Sequence, residues 1–348
     1  MDIIYQYGLF LAKTVTVVAA IGLLIAMAVF AKQRKAGQLG ELQIFDLSEQ
    51  YNEMKDELML STLSDEERKA WLKELKKTTK AEAKARKEQI KKGITPALKP
   101  CLYVLNFKGS LDANEVSSLR KEITAVLAVA KPQDEILINL ESPGGMVHGY
   151  GLAASQLTRI KRRGIKLTVA VDKVAASGGY MMACVADRIV AAPFAVVGSI
   201  GVVAQLPNIH RLLKKHDVDI EMHTAGEYKR TLTMLGENSE VGREKFKEEL
   251  NETHLLFKQF VHEHRPVVDI EKVATGEHWF GTQAASMNLV DDISTSDEIV
   301  LDYIDNYDVI GVKYTQRKKL MNRFSKQAAD CIDTVFMRWI QRGQKPLL

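Results

Sequence analysis

Two side chains in this sequence are suited to covalent chemistry. Ser177 sits in the small-residue run Val174-Ala175-Ala176-Ser177-Gly178-Gly179-Tyr180, and Lys229 in Gly226-Glu227-Tyr228-Lys229-Arg230. A serine hydroxyl is a poor nucleophile until a neighbouring base takes its proton, and a lysine serves as that base only when burial draws its pKa towards neutrality. The pair describes a hydrolase that works without histidine, with Lys229 desolvated. The apolar run from Tyr180 to Cys184 predicts a helix that begins at the serine, its first amides and positive dipole end facing a developing oxyanion. Two plainer readings compete. Ser177 would also suit a strand-to-helix turn in which its hydroxyl only caps the helix, and Lys229, flanked by Glu227 and Arg230, would also suit a solvated surface.

A second glycine turn bears on the choice. Ile136-Leu137-Ile138-Asn139-Leu140 reads as a buried strand, Glu141-Ser142-Pro143-Gly144-Gly145 as a turn, and the residues from Val147 onwards as a helix. Such a turn at the carboxyl end of a parallel strand aims a backbone N–H at a ligand, so Gly145 would supply an oxyanion donor beside Gly178. No Lys-Ser/Thr pair follows the glycines, which argues against a nucleotide phosphate loop.

Four segments taken together, Leu140-Glu141-Ser142-Pro143-Gly144-Gly145, Ala175-Ala176-Ser177-Gly178-Gly179-Tyr180, Val197-Gly198-Ser199-Ile200-Gly201-Val202 and Tyr228-Lys229, resemble in order and spacing the signal peptide peptidase A family of Ser-Lys peptidases. The resemblance covers residues 99–293 and is nearest to the inner-membrane branch of single-domain length. It implies Ser177 as nucleophile, Lys229 as general base, the Ser199 hydroxyl orienting the lysine amine, and the amides of Gly145 and Gly178 as the oxyanion hole. It also implies a crotonase/Clp-protease-like layered fold and a ring-like homo-oligomer in which one protomer's lysine meets another's serine. Clp-type relatives use Ser-His-Asp, but no histidine lies between Ser177 and His210. His210, His216 and His223 sit among charged residues where solvated or capping roles fit. His262 and His264 have no cysteine or carboxylate cluster for a metal site. No metal and no cofactor are expected. One departure from the family is Met287-Asn288, where relatives tend to carry glycine before Leu289-Val290-Asp291; it is expected to alter a turn and not the chemistry.

The chain has 348 residues and a net charge of +4, enough for one sizeable domain with extensions and too modest a charge to imply nucleic acid. Cys101, Cys184 and Cys331 are odd in number and widely spaced, so they describe neither a disulfide framework nor a zinc motif. Residues 1–31 read as a transmembrane anchor. The stretch 14–31 is uncharged, and with Lys13 snorkelling the segment spans a hydrocarbon core of about 30 Å. Cleavage of a signal peptide near Ala26-Met27-Ala28 is the alternative. The basic flank Lys32-Gln33-Arg34-Lys35 would place the catalytic domain in the cytoplasm, whereas the family's work on membrane peptides is pictured from the outer face, so the side stays open.

Residues 32–98 read as a charged helical connector, with a capping box at Ser64-Asp65-Glu66-Glu67. Its basic run over 73–92 suits a solvated helix face or anionic lipid headgroups. Residues 99–310 read as the peptidase domain, an α/β fold of repeated strand-helix units. Strands are predicted at 102–107, 135–140, 166–171 and 188–191, and helices at 114–130, 147–162, 177–186 and 240–264. The apolar stretch 189–207 reads as core strands and turns, not as a second membrane helix. Residues 311–348 read as a basic amphipathic tail.

The function expected is a serine endopeptidase of the bacterial inner membrane. Its partners would be the lipid bilayer, further copies of itself and signal peptides or other small, unfolded membrane-associated polypeptides, with small or hydrophobic residues at the cleavage position. A crotonase-type acyl-CoA enzyme and a non-catalytic membrane scaffold are the alternatives.

Overall fold

The computed structural model describes residues 40–92 and 99–316. The expected anchor over 1–31 and the tail from 317 onwards, Cys331 included, lie outside them. Gln43–Lys313 makes one compact unit that contains the cavity and its residues.

β1 (Glu41–Asp46), α1 (Leu47–Thr62) and α2 (Asp65–Lys91) come first. Asp46 caps α1 by accepting from the Glu49 amide at 2.8 Å. The Ser64 amide and hydroxyl both donate to Glu67, at 2.9 and 2.6 Å, which gives one half of the predicted capping box at the start of α2: the glutamate reaches back to the Ser64 N–H, while the serine hydroxyl turns to the carboxylate. β2 (Cys101–Lys108), α3 (Val116–Val129), β3 (Glu135–Glu141), α4 (Val147–Arg162) and β4 (Lys166–Val171) follow as strand-helix repeats. β5 (Val174–Ala176), α5 (Gly178–Ala183), β6 (Arg188–Ala191) and β7 (Val196–Gly198) are short. The chain ends with α6 (His210–Lys215), α7 (Glu240–His264), α8 (Ile270–Val273), β8 (His278–Phe280), α9 (Gly281–Ser286), β9 (Asp292–Ile293), α10 (Ser296–Ile304) and β10 (Asp308–Thr315).

A seven-stranded sheet runs in the order β1-β10-β2-β3-β4-β6-β9, with β2, β3, β4 and β6 mutually parallel at its centre. Parallel strands are covered on both faces and therefore read as continuous apolar runs. Tyr103, Leu105, Ile136, Ile138 and Val169 pack on one face with Leu119, Ile123, Leu157 and Met182. Leu102, Val104, Leu137, Ala170 and Val190 pack on the other with Ile299 and Val300, joined by Leu47 and Tyr51. The result is the expected α/β layering, with α3, α4 and α5 against one face and α10 and α1 against the other. A three-stranded sheet, β5-β7-β8, carries the serine turn.

α4, β4, β6 and α7 have the predicted bounds. The helix expected to run from the serine to residue 186 stops at Ala183, where Val185 and Ala186 turn back to the carbonyls of Met182 and Ala183 to bring the chain into β6. Residues 189–207 contain β6 and β7, in keeping with strands and turns, and among the described residues no helix is long and apolar enough to cross a membrane. Cys184 is fully buried, which pushes its thiol up to about 12. Asn288, standing where relatives tend to carry glycine, has φ 59°, and asparagine is among the few side chains that accept this conformation.

The turn after α9 is locked from below by an ion pair whose arginine is buried. The Arg265 guanidinium grips both carboxylate oxygens of Asp291 at 2.8 and 3.1 Å, and its Nε donates to the Asn288 carbonyl at 2.7 Å. Asp291 also accepts the Ile189 amide at 2.7 Å, while the Tyr180 hydroxyl donates to the Leu289 carbonyl at 2.9 Å. The Arg265 side chain is 7% exposed and that of Asp291 38%, so removal of the arginine strands a carboxylate that water still reaches. Arg265→Ala is therefore expected to destabilise the fold by about 3 kcal/mol, the lower end for a broken buried pair, read as a shift in the denaturant midpoint.

Candidate active site

Ser177 occupies the junction of β5 and α5 with φ 51° and ψ −119°. These angles belong to the first central residue of a type II′ turn, a place that normally takes glycine, and holding serine there costs on the order of 1–3 kcal/mol. The surrounding backbone enforces it: the Ser177 amide donates to the Gly198 carbonyl at 2.8 Å, and the Ala176 amide to the Ser142 carbonyl at 3.0 Å. The Ser177 side chain makes no capping hydrogen bond to α5, which removes the reading of the hydroxyl as a helix cap. α5 has only 6 residues, so the expected aid from its dipole is small and the individual amides matter more.

The two glycine turns pack against each other. Gly144 has φ +89°, and a Cβ there would lie 2.7 Å from both the Ala176 carbonyl and Ser177 Cβ. A Cβ on Gly178 would run into the ring of Tyr150. Around them the neighbouring amides are occupied: Gly144 N–H by Ser142 Oγ at 3.1 Å, Met146 N–H by the Leu111 carbonyl at 2.9 Å and Ser177 N–H by Gly198. Between these, the N–H groups of Gly145 and Gly178 take no acceptor among the described residues.

Gly145, Gly178, Ser177 and Ser199 all line one cavity of about 930 Å³. Ser199 is itself held in a left-handed conformation, φ 52°, by its amide's 2.7 Å bond to the Glu277 carbonyl. Met181 and Phe257 give the cavity an apolar wall. His254, whose Nε2 lies 3.2 Å from the Ile200 carbonyl, also reaches it from α7. His254 and Phe257 were not evident as site residues in the sequence; the only signal is the helical interval from 254 to 257 to 261 that turns them to the inner side of an otherwise polar helix. His264 instead bonds the Phe260 carbonyl at 2.9 Å and stacks on that residue's ring.

Lys229 is placed differently. It is exposed, on an irregular segment between α6 and α7, and is not among the residues lining the cavity. The desolvation expected of a base is therefore not met within one chain. Residues 202–235, which take in α6 and most of this segment, expose much apolar surface: Val203 is 91% accessible, and Leu212, Val218, Met222 and Met234 are also open to solvent.

Comparison with known proteins gives consistent matches. Residues 2–157 match the model described as peptidase family S49 N-terminal, and residues 159–309 that of peptidase family S49. A probable protease SohB of Haemophilus influenzae is 55% identical across 100% of this chain and 99% of its own length. One from Buchnera aphidicola subsp. Schlechtendalia chinensis is 51% identical over 86% of this chain and 99% of its own. A solved structure of a membrane-bound stomatin-specific protease, 1510-N, with a substrate peptide covers 67% of this chain and 100% of that one, at 13% identity and a TM-score of 0.43.

The packing of Tyr150 on Gly178 can be tested directly. Gly178→Ala is expected to cost about 2 kcal/mol by overpacking, read as a lower midpoint in denaturant unfolding.

Proposed function

Because this chain belongs to peptidase family S49 and is a serine-type peptidase, we propose that it is an endopeptidase anchored in the bacterial inner membrane by residues 1–31. It cuts signal peptides or other small, unfolded membrane-associated polypeptides through an acyl-enzyme, on a crotonase-like scaffold. Family membership sets aside the acyl-CoA and scaffold alternatives. The observation that carries the residue assignment is Ser177 on a glycine-type backbone at the edge of a cavity, beside two amides that take no acceptor among the described residues.

In this mechanism Ser177 Oγ attacks the scissile carbonyl and its proton passes to Lys229 Nζ. The carbonyl oxygen becomes an anion and takes the N–H groups of Gly145 and Gly178. Collapse breaks the C–N bond, the amine product leaves with the proton from lysine, and water activated by the same amine frees the acyl group. The apolar wall of Met181 and Phe257 favours a small or hydrophobic residue at the cleavage position.

A lysine base has to be desolvated, and Lys229 is exposed in the single chain. A second copy resolves this: the apolar surface of residues 202–235 gives a neighbour something to bury, and its burial brings Lys229 to the neighbour's Ser177 and Ser199. The chain then works as a homo-oligomer whose dyad spans two protomers. The uncharged stretch 14–31 supports the membrane anchor.

Ser177→Ala and Lys229→Ala are each expected to lower turnover of a fluorogenic peptide by on the order of 10⁴-fold or more. Co-assembled, the two inactive variants regain activity, because chains that keep Ser177 meet chains that keep Lys229. Two dead variants that fail to complement put the dyad inside one chain. Turnover by wild-type protein that survives Ser177→Ala overturns the assignment of the nucleophile.

A further inference from the structure

Beneath the Gly144-Gly145 turn lies a run of side-chain hydrogen bonds to which the mechanism assigns no task. Tyr150, in α4, and Ser142, after β3, are both 0% exposed. The direction of their bonds follows from counting protons. The Tyr150 hydroxyl lies 2.8 Å from the Ser110 carbonyl, which can only accept, so the single phenolic proton is used there. In the 2.6 Å contact between Ser142 Oγ and Tyr150 Oη, serine is therefore the donor. Its proton spent, Ser142 Oγ accepts the Gly144 N–H at 3.1 Å. The chain runs one way, from Gly144 through Ser142 and Tyr150 to Ser110. Burial raises the phenol's pKa and keeps the proton this chain requires. Ser110 is held in turn, its amide and hydroxyl donating to Glu115 at 3.1 and 2.8 Å.

Both open amides depend on this chain. The Gly145 peptide lies between two pinned neighbours, Gly144 N–H on Ser142 and Met146 N–H on the Leu111 carbonyl. If the first pin is lost, Gly144 is free to rotate, since its backbone carries no Cβ to stop it. The ring of the same Tyr150 fills the space next to Gly178 Cα. One residue thus bears on Gly145 through its hydroxyl and on Gly178 through its ring.

We propose that Ser142 and Tyr150 are positioning residues for the oxyanion hole, setting the direction of the Gly145 N–H and its spacing from the Gly178 N–H. The proposal rests on the reading of Ser177 as nucleophile. It differs from a merely structural role in what it affects: a misaimed amide weakens the transition state and leaves the bound substrate nearly untouched.

The test uses the full-length chain as wild type, Tyr150→Phe, Ser142→Ala and the double variant, with Ser177→Ala as control. Tyr150→Phe keeps the ring against Gly178 and removes only the hydroxyl, and Ser142→Ala removes the acceptor, so two independent changes probe one chain. Turnover of a fluorogenic peptide and inhibition by the matching peptide aldehyde, whose adduct places an oxyanion on the same amides, are measured with active sites titrated. In each single variant kcat is expected to fall by about 10- to 100-fold and the aldehyde Ki to rise by a similar factor, with KM changed by less than about two-fold. The double variant should fall no further than the worse single one, because both act through the same bond to Gly144. The proposal is overturned by wild-type kcat and aldehyde affinity in Tyr150→Phe, by a loss confined to KM, or by a loss that disappears once active sites are counted. If wild-type turnover does not depend on Ser177, it is the underlying assignment that fails; retained kcat in Tyr150→Phe beside a dead Ser177→Ala leaves that assignment intact.

Discussion

Two backbone hydrogen bonds made by Ser142 hold this molecule's chemistry together. Its N–H donates to the Val174 carbonyl at 2.8 Å and its carbonyl accepts the Ala176 N–H at 3.0 Å, an isolated parallel bridge between the end of β3 and β5. Each bond is worth only about 1 kcal/mol net. Their importance is in register: they join the large sheet to the small one where both strands end, and so fix the first glycine turn against the second. Ser177 lies just beyond one end of the bridge and Gly144 just beyond the other, with no space for a Cβ between them. A slip of one residue would turn every one of these groups to the opposite face.

How much of this can be read in the amino-acid sequence depends on whether a constraint is local. Close approach of backbones demands small residues, so the runs around Gly144, Ser177 and Ser199 mark themselves, and all of them meet at one cavity. α4 and the central strands are equally legible because their apolar spacing follows a buried surface. β1 is different: every residue in it is exposed, so it has no alternation to display, and its place beside β10 depends on a partner far along the chain. His254 and Phe257 are hard to find for a related reason. α7 is polar over most of its length, with only Phe257 and Val261 buried, so its inner stripe is too thin to stand out.

Lys229 is where sequence and single-chain structure part. Its residue type and its place in the motif order point to a base, yet its surroundings in one chain are those of a surface lysine. The serine turn, by contrast, leads straight into the core, with α5 buried along its whole length. In the proposed mechanism a buried half carries the nucleophile and amides, and an exposed, apolar-rich segment carries the amine. That division follows from the chemistry, because an oxyanion hole has to be preorganised while a base has only to arrive desolvated.

The backbone of Ser177 has an evolutionary consequence. Its angles suit glycine better than any other residue, and the strain it stores would be released by a single change to glycine. Selection on this protein for thermal endurance alone would therefore favour losing the hydroxyl at that position, and the folded population would grow as the reactive one vanished. If Ser177 is the nucleophile, as proposed, its side chain serves reactivity at a point where folding by itself would favour glycine.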